Sequence, residues 1–354
     1  MNTGISLYCS TGAARNEELL AQAAAAGVHC AFTSLQIPEE AGGERKAAAL
    51  GLLGACKQHG IPLIVDVGAD TAAGLGCNSL YELQRWGITA LRLDDGFCAQ
   101  QAAALSREFQ IVFNASTVTQ QEIEGWQRAG ADLTRFTACH NFYPKPWTGL
   151  SLGEVSRINR QLKSHGFRTM AFVAGDHALR GPLRQGLPTV EAHRSGKNVV
   201  LNALQLWAQA DCDTVLVGDI DLQTATWQAW ADLGAGFVRL PAVLAPGYTY
   251  LAGPVHHDRP DSSEYVFRSV ESRRLALPNP AVLCPQAAAA PRQVGDILVS
   301  NSDYLRYAGE VEIARRPLPA DARVNLAGRL CAEALPYLPY LRRGFGVQLV
   351  PQNT

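Results

Sequence analysis

One unit recurs eight times in the first two thirds of this 354-residue chain: a short apolar run that ends in polar or acidic residues and is followed by a helical stretch. The clearest copy is Ala90–Gly96, and others are Pro62–Asp66, Ile111–Ser116, Phe136–Asn141 and Thr214–Asp219. Strand–helix alternation of this kind is the pattern of parallel βα units. Eight such units close into a TIM-type (β/α)8 barrel, whose active site is built from the C-terminal strand ends. The strands are expected at Gly4–Ser10, His29–Leu35, Pro62–Gly68, Ala90–Gly96, Ile111–Ser116, Leu133–Asn141, Arg168–Gly175 and Thr214–Asp219. Between them, Asn16–Ala26 and Glu44–His59 read as helices closed by Gly27 and Gly60, and Leu152–His165 and Val199–Ala210 read likewise. The connection from Gly175 to about Val190 is long and rich in Gly, Pro and Arg, which marks it as a candidate lid.

After Asp219 the pattern gives one more helix, about Leu222–Leu233, and then changes. From Gly236 onward proline is frequent and short β-type runs dominate: Phe237–Leu240, Tyr265–Val270, Asp296–Ser300, Glu310–Ala314, Arg323–Leu326 and Gly346–Val350. The reading is a barrel over 1–236 followed by a smaller, mainly antiparallel β domain over 237–354. Gly253–Ser263, which holds His256 and His257, is expected to be a polar loop in that domain. A net charge of -1 with scattered Lys and Arg points to neither nucleic acid nor an anionic membrane as partner. The longest apolar runs are strand-sized, well below the roughly 20 residues that span a bilayer. Nine dispersed cysteines without a C-x-x-C pair read as reduced thiols, and the chain enters a strand without a signal-type segment. Both features favour the cytoplasm.

The chemistry is expected at the strand ends. Asp94 and Asp95 are neighbours and face opposite ways, so one looks into the mouth and the other caps the turn at Gly96. Asp66, on the preceding strand, lies within reach of Asp94, either to separate the two pKa values or to satisfy strand-end N–H groups. Asn114, His140, Asn141 and Tyr143 offer paired donors and acceptors suited to hydroxyl and acetamido recognition, with a core role as the alternative for His140. Glu191 follows the long connection and reads either as a general acid delivered above the barrel or as a first-turn acid behind Thr189. Asp219 and Asp221 end the eighth strand. No H-E-x-x-H, Gly-rich dinucleotide fingerprint or P-loop occurs, so neither a metal nor another cofactor is expected. A divalent-metal barrel isomerase or aldolase acting on a sugar phosphate is the rival enzyme, and a non-catalytic sugar-phosphate binder the rival protein. No Lys at an expected strand end serves the Schiff-base version.

Several strings together resemble the 6-phospho-N-acetylmuramidase family, two-domain barrel proteins once called outer surface proteins. They include Phe32–Leu35, Val65–Val67, Leu91–Asp94 with Gly96 and Phe97, Asn114–Ser116, His140–Pro144 with Thr148–Ser151, and Gly186–Arg194. In the second domain Arg268–Arg273, Gly295–Ile297, Asn301–Tyr304 through Glu310, and Arg323–Gly328 also fit. Asp95 departs from the pattern, which has a single acid before Gly-Phe. The resemblance implies a barrel and a cyclophilin-like β domain. It also implies cofactor-free hydrolysis of the β-1,4 bond of 6-phospho-N-acetylmuramyl-N-acetylglucosamine, a small phosphorylated disaccharide met in cell-wall recycling. Asp94 and Glu191 are then expected as the carboxyl pair, with Asp66 as the substitute for either. Retaining, inverting and substrate-assisted routes all stay open. The phosphate and lactyl carboxylate call for cations, with Arg180, Arg184, Arg194, Arg268 and Arg273 as candidates and the second domain closing over the mouth.

Overall fold

The computed structural model describes residues 1–35, 45–94, 96–181, 183–276, 283–286 and 290–352, apart from the side chains of Arg45, Arg273 and Ala276. The chain divides into two compact units, Met1–Gly234 and Ala235–Thr354. In the first, eight parallel strands close in sequence order: β1 (Asn2–Ser6), β2 (Cys30–Ser34), β3 (Leu63–Val67), β4 (Ala90–Leu93), β5 (Gln110–Asn114), β6 (Phe136–Cys139), β7 (Arg168–Val173) and β8 (Thr214–Val217). β8 pairs back onto β1, Asn2 opposite Thr214 and Ile5 opposite Val217. The helices are α1 (Ala13–Ala25), α2 (Arg45–Gln58), the single turn α3 (Thr71–Gly74), α4 (Ala99–Leu105), α5 (Gln120–Arg128), α6 (Leu152–Ser164), α7 (Val199–Ala208) and α8 (Thr224–Gly234).

All eight expected strands are present, and all eight stop short of their expected C-terminal bound. The polar residues there leave the ladder and serve the loops instead. β6 also starts later than expected, because Asp132 accepts a hydrogen bond from Thr134 N at 3.1 Å and folds Leu133–Arg135 into a 3-10 turn. Helix starts follow capping chemistry. Thr119 and Glu122 form a reciprocal capping box at α5, and Ser151 accepts from Glu154 N at α6.

Side-chain alternation with period two sorts each strand into a lumen face and a helix-layer face. Phe32, Ile64, Val112, Cys139, Met170, Phe172 and Leu216 fill the lumen as one apolar plug, with the Phe32 and Phe172 rings edge-on at 5.4 Å. Each large side chain so buried contributes roughly 1.5–3 kcal/mol. One step further toward the C-terminal end, the same faces carry Ser34, Asp66, Arg92 and Asn114. The pattern thus sets a polar layer directly on an apolar one.

The second unit is a seven-stranded sheet of order β10-β15-β9-β14-β12-β13-β11. Its strands are β9 (Phe237–Leu244), β10 (Val255–His257), β11 (Val266–Arg268), β12 (Asp296–Ser300), β13 (Val311–Ala314), β14 (Val324–Leu330) and β15 (Gly346–Pro351). A short helix, α9 (Ser272–Ala276), follows β11. All pairings are antiparallel except β9 with β15. The expected polar loop at Gly253–Ser263 is corrected in part: Val255–His257 is the edge strand β10, paired with β15. Three residues beside a proline are too few to show alternation. His256 points inward and is hydrogen-bonded through both ring nitrogens, to Ser269 Oγ and Leu251 O. β9 continues past its expected end at Leu240, through Pro241, whose carbonyl accepts from Cys331 N. Among the described residues, no helix is long and apolar enough to cross a membrane.

Candidate active site

The C-terminal end of β3 and β4 carries a connected charge network. Asp66 is buried, with Oδ1 accepting from Arg92 Nη1 at 2.7 Å and Oδ2 from Ser34 Oγ at 2.9 Å. Asp66 and Arg92 are register partners on adjacent strands, which is why the ion pair forms across the ladder. Arg92 Nη2 donates onward to the side chain of Asn141 at the end of β6. Burial raises the Asp66 carboxyl above its ordinary value, against the opposing pull of Arg92 and Ser34.

Asp94 lies two residues beyond Arg92 on the same strand face. Its backbone N–H donates to Val67 O at 3.1 Å, so the strand end is fixed. Its carboxylate has no hydrogen bond among the described residues: the nearest cation, Arg92 Nη1, is 4.0 Å away, and the side chain is 43% exposed. Asp95 lies outside the described residues. The two expected carboxylates, Asp66 and Asp94, are therefore brought to one arginine and differ sharply in environment. Asn114, on the neighbouring strand, is half-buried and its Oδ1 accepts from Ser116 N at 3.0 Å, shaping the turn after β5.

Glu191 sits elsewhere, in the turn Glu191–His193 after the β7 connection. Its carboxylate is fully engaged: Oε1 accepts from Trp147 N and Oε2 from Gly149 N, both at 2.9 Å, while Arg194 forks onto it at 2.6 and 2.7 Å. The guanidinium and two backbone N–H groups hold the carboxyl well below the usual range, at about 2. Gly149 is required for this approach, since a Cβ there would lie 2.7 Å from Glu191 Oε2. Arg194 also donates to Gly186 O at 3.0 Å and Lys145 O at 3.3 Å, so its donors already have protein partners. Thr189 caps no helix. Its hydroxyl donates to Asn141 O and accepts from Phe172 N, both at 2.9 Å.

The long β7 connection is fastened at several points. Asp219 accepts backbone N–H bonds from Gly175, Arg180 and Leu187, each at 2.9 Å. Asp221 pairs with Arg15 and with His177 Nδ1, and the Arg180 guanidinium lies 3.6 Å from the centre of the Tyr8 ring. One expectation is corrected outright: His140 does not face the mouth. It is fully buried, with Nδ1 on Ser116 Oγ at 3.1 Å and Nε2 on Asn159 Oδ1 at 2.9 Å, and burial pushes its pKa down. Following the lumen-facing Cys139, it points into the helix layer. Tyr143 is half-buried, its backbone N–H bonded to Pro188 O. In the second unit Arg268 pairs with Glu310 at 2.6 Å and lies 3.8 Å from Glu312; the Arg273 side chain is outside the described residues. Among the described residues, no three His, Cys, Asp or Glu side chains gather as a metal-ion site.

Arg92 is the network residue that reading by residue type passed over. Its signal was present: an arginine inside an otherwise apolar strand, two positions before Asp94 and so on the same face.

The family models cover nearly the whole chain. That of the 6-phospho-N-acetylmuramidase N-terminal family matches residues 3–232, and that of the C-terminal family matches residues 246–350. The chain belongs to the 6-phospho-N-acetylmuramidase family. Among solved structures it is similar to a conserved protein of unknown function from Enterococcus faecalis, with 28% identity and a TM-score of 0.76, covering 100% of this chain and 97% of that one. An uncharacterised B. cereus protein shares the fold at 24% identity and a TM-score of 0.74, with 99% of each chain covered. A comparison with curated protein sequences gives no match. The family name is that of a glycosidase, and in barrels of this type active sites lie at the C-terminal strand ends, the end that carries this polar layer.

Proposed function

We propose that this protein hydrolyses the β-1,4 bond of 6-phospho-N-acetylmuramyl-N-acetylglucosamine in the cytoplasm, releasing N-acetylmuramic acid 6-phosphate and N-acetylglucosamine for reuse. The observation that carries this reading is the pairing, in a member of this family, of one half-exposed, unbonded carboxylate with a buried ion pair beside it.

In this reading Asp94 is the catalytic carboxyl, because it alone of the proposed three can approach a sugar without first breaking bonds within the protein. Asp66 is a positioning residue that holds Arg92, and Asn141 extends the same network toward the acetamido and hydroxyl groups. Glu191 and Arg194 clamp the 147–149 loop instead of acting on the bond. A general acid needs a pKa near the working pH, and about 2 lies far below it. One free carboxylate suits substrate assistance. Asp94 protonates the glycosidic oxygen as the C1–O bond breaks, and the 2-acetamido oxygen attacks C1 to form an oxazolinium ring. Asp94 then takes a proton from water, which opens the ring and leaves the anomeric configuration retained.

The test is product analysis by mass spectrometry after incubation, with EDTA present, with the 6-phosphorylated disaccharide and its unphosphorylated form. Release of N-acetylglucosamine from the phosphorylated form alone is expected. Turnover that needs an added divalent ion would overturn the reading, as would none at all. Inversion at the anomeric carbon, read by NMR, would overturn the substrate-assisted step alone.

A further inference from the structure

A cavity of about 410 Å³ opens between α4 and α5, outside the barrel wall and beside β4 and β5. It lies at the low end of ligand-sized clefts, roughly 300–1,000 Å³. Asp94 and Asn114 line it, so it joins the candidate active site at the Asp94 carboxylate. Thr117 and Gln121 supply further hydroxyl and amide groups, while Phe97 and Trp126 give it apolar surface. That mixture suits a sugar ring, which has hydroxyls at its edge and C–H groups on its faces.

Two features narrow the choice of sugar. The first is charge: the lining includes the carboxylates of Asp94 and Glu122 and, among the described residues, no Lys, Arg or His. A phosphate or a lactyl carboxylate would be repelled there, and a neutral sugar would not. The nearby Arg92 is already engaged by Asp66 and Asn141, and further cations stand on the far side of the mouth, because β8 and β1 are diametrically opposite β4 and β5 in a closed eight-stranded barrel. There Arg180 lies over Tyr8, with Arg15 and His177 on Asp221. The second feature is room. The facing helices present Ala99, Ala102 and Gly125 to the cleft, and a Cβ added at Gly125 would stand 3.6 Å from Ala99 Cβ. Glycine is a poor residue inside a helix, so its presence in α5 keeps space at a cost in helix stability.

We infer that this cleft is the subsite for the uncharged N-acetylhexosamine, the leaving half of the substrate, with the phosphorylated half across the mouth toward Arg180. The inference rests on the proposed hydrolysis and adds an orientation to it. It also sets Asp94 beside the leaving oxygen, where a proton donor is needed.

The test is binding of N-acetylglucosamine and of N-acetylmuramic acid 6-phosphate, each alone, by saturation-transfer NMR. The proteins are the full-length wild type, Gly125→Leu and Ala99→Leu, each with a melting curve. Gly125→Ala, whose methyl group makes only ordinary contact with Ala99, serves as the variant that keeps the fold. N-acetylglucosamine binding is expected to fall at least tenfold in the leucine variants and two- to threefold in Gly125→Ala. Binding of the phosphorylated sugar should stay within twofold. Unchanged N-acetylglucosamine binding in a folded variant, equal loss of both ligands, or no binding to the wild type would overturn the subsite. Turnover of the disaccharide by the wild type is read separately. Its absence would refute the hydrolase reading and leave the cleft as an amino-sugar site, whereas turnover indifferent to the cleft variants would refute the subsite alone.

Discussion

The two halves of the barrel mouth hold similar residue types and use them differently. On the β7–β8 side every carboxylate of Asp219, Asp221 and Glu191 is engaged, by backbone N–H groups, an indole, a histidine or an arginine. On the β3–β4 side Asp66 is likewise bound, but among the described residues Asp94 has only a cation at 4.0 Å. An acid at the end of a barrel strand is therefore not by itself a catalytic candidate. What decides is whether local backbone donors have already claimed it. Such donors occupy a carboxylate's oxygens, while their absence leaves those oxygens open to a substrate.

Four substitutions probe this contrast. Asp94→Asn should lower kcat by about 10³-fold, within the range for loss of a general acid, with no change in melting temperature. A large fall in stability instead would show that Asp94 has an unseen structural partner. Asp66→Asn should act through the fold as well as the rate. It leaves Arg92 buried without its counter-charge, at about 3 kcal/mol in a denaturant titration. Asp219→Ala removes the acceptor of three N–H groups, and we expect about 2–3 kcal/mol lost in the same titration. Its kcat should fall less than that of Asp94→Asn, because the residue shapes a loop and touches no substrate.

Glu191→Gln should disturb kcat least and cost stability instead, about 3 kcal/mol, and its signature is pH dependence. The folded pKa, about 2, lies below the ordinary value, so the group's stabilisation is complete above about pH 4.5 and fades as pH falls toward 2. The stability difference between wild type and Glu191→Gln, measured by chemical denaturation, should be level from pH 5 to 7 and shrink across that acid window. A difference that grew on acidification would contradict the clamp.

The barrel was legible because its signal is local: each strand is a short apolar run, and period two alone puts Ser34, Asp66, Arg92 and Asn114 above the apolar plug. Partnership was not local. Glu191 meets Trp147 and Gly149 across the β6 loop, and the partners of His140 are Ser116 and Asn159 on two other segments. Residue type suggested chemistry for both, and only the fold revealed that their polar atoms were already engaged. Asp66 and Asp94 were correctly expected to be near each other, since adjacent strands leave little choice. The arginine between them could have been found by counting two residues back from Asp94.

The most direct measurement compares release of N-acetylglucosamine from the phosphorylated disaccharide by wild type, Asp94→Asn and Glu191→Gln at neutral pH, each shown to be folded. We expect near-complete loss with Asp94→Asn and a kcat within about tenfold of wild type for Glu191→Gln. Full activity in Asp94→Asn, or loss confined to Glu191→Gln, would move the chemistry to the other side of the mouth.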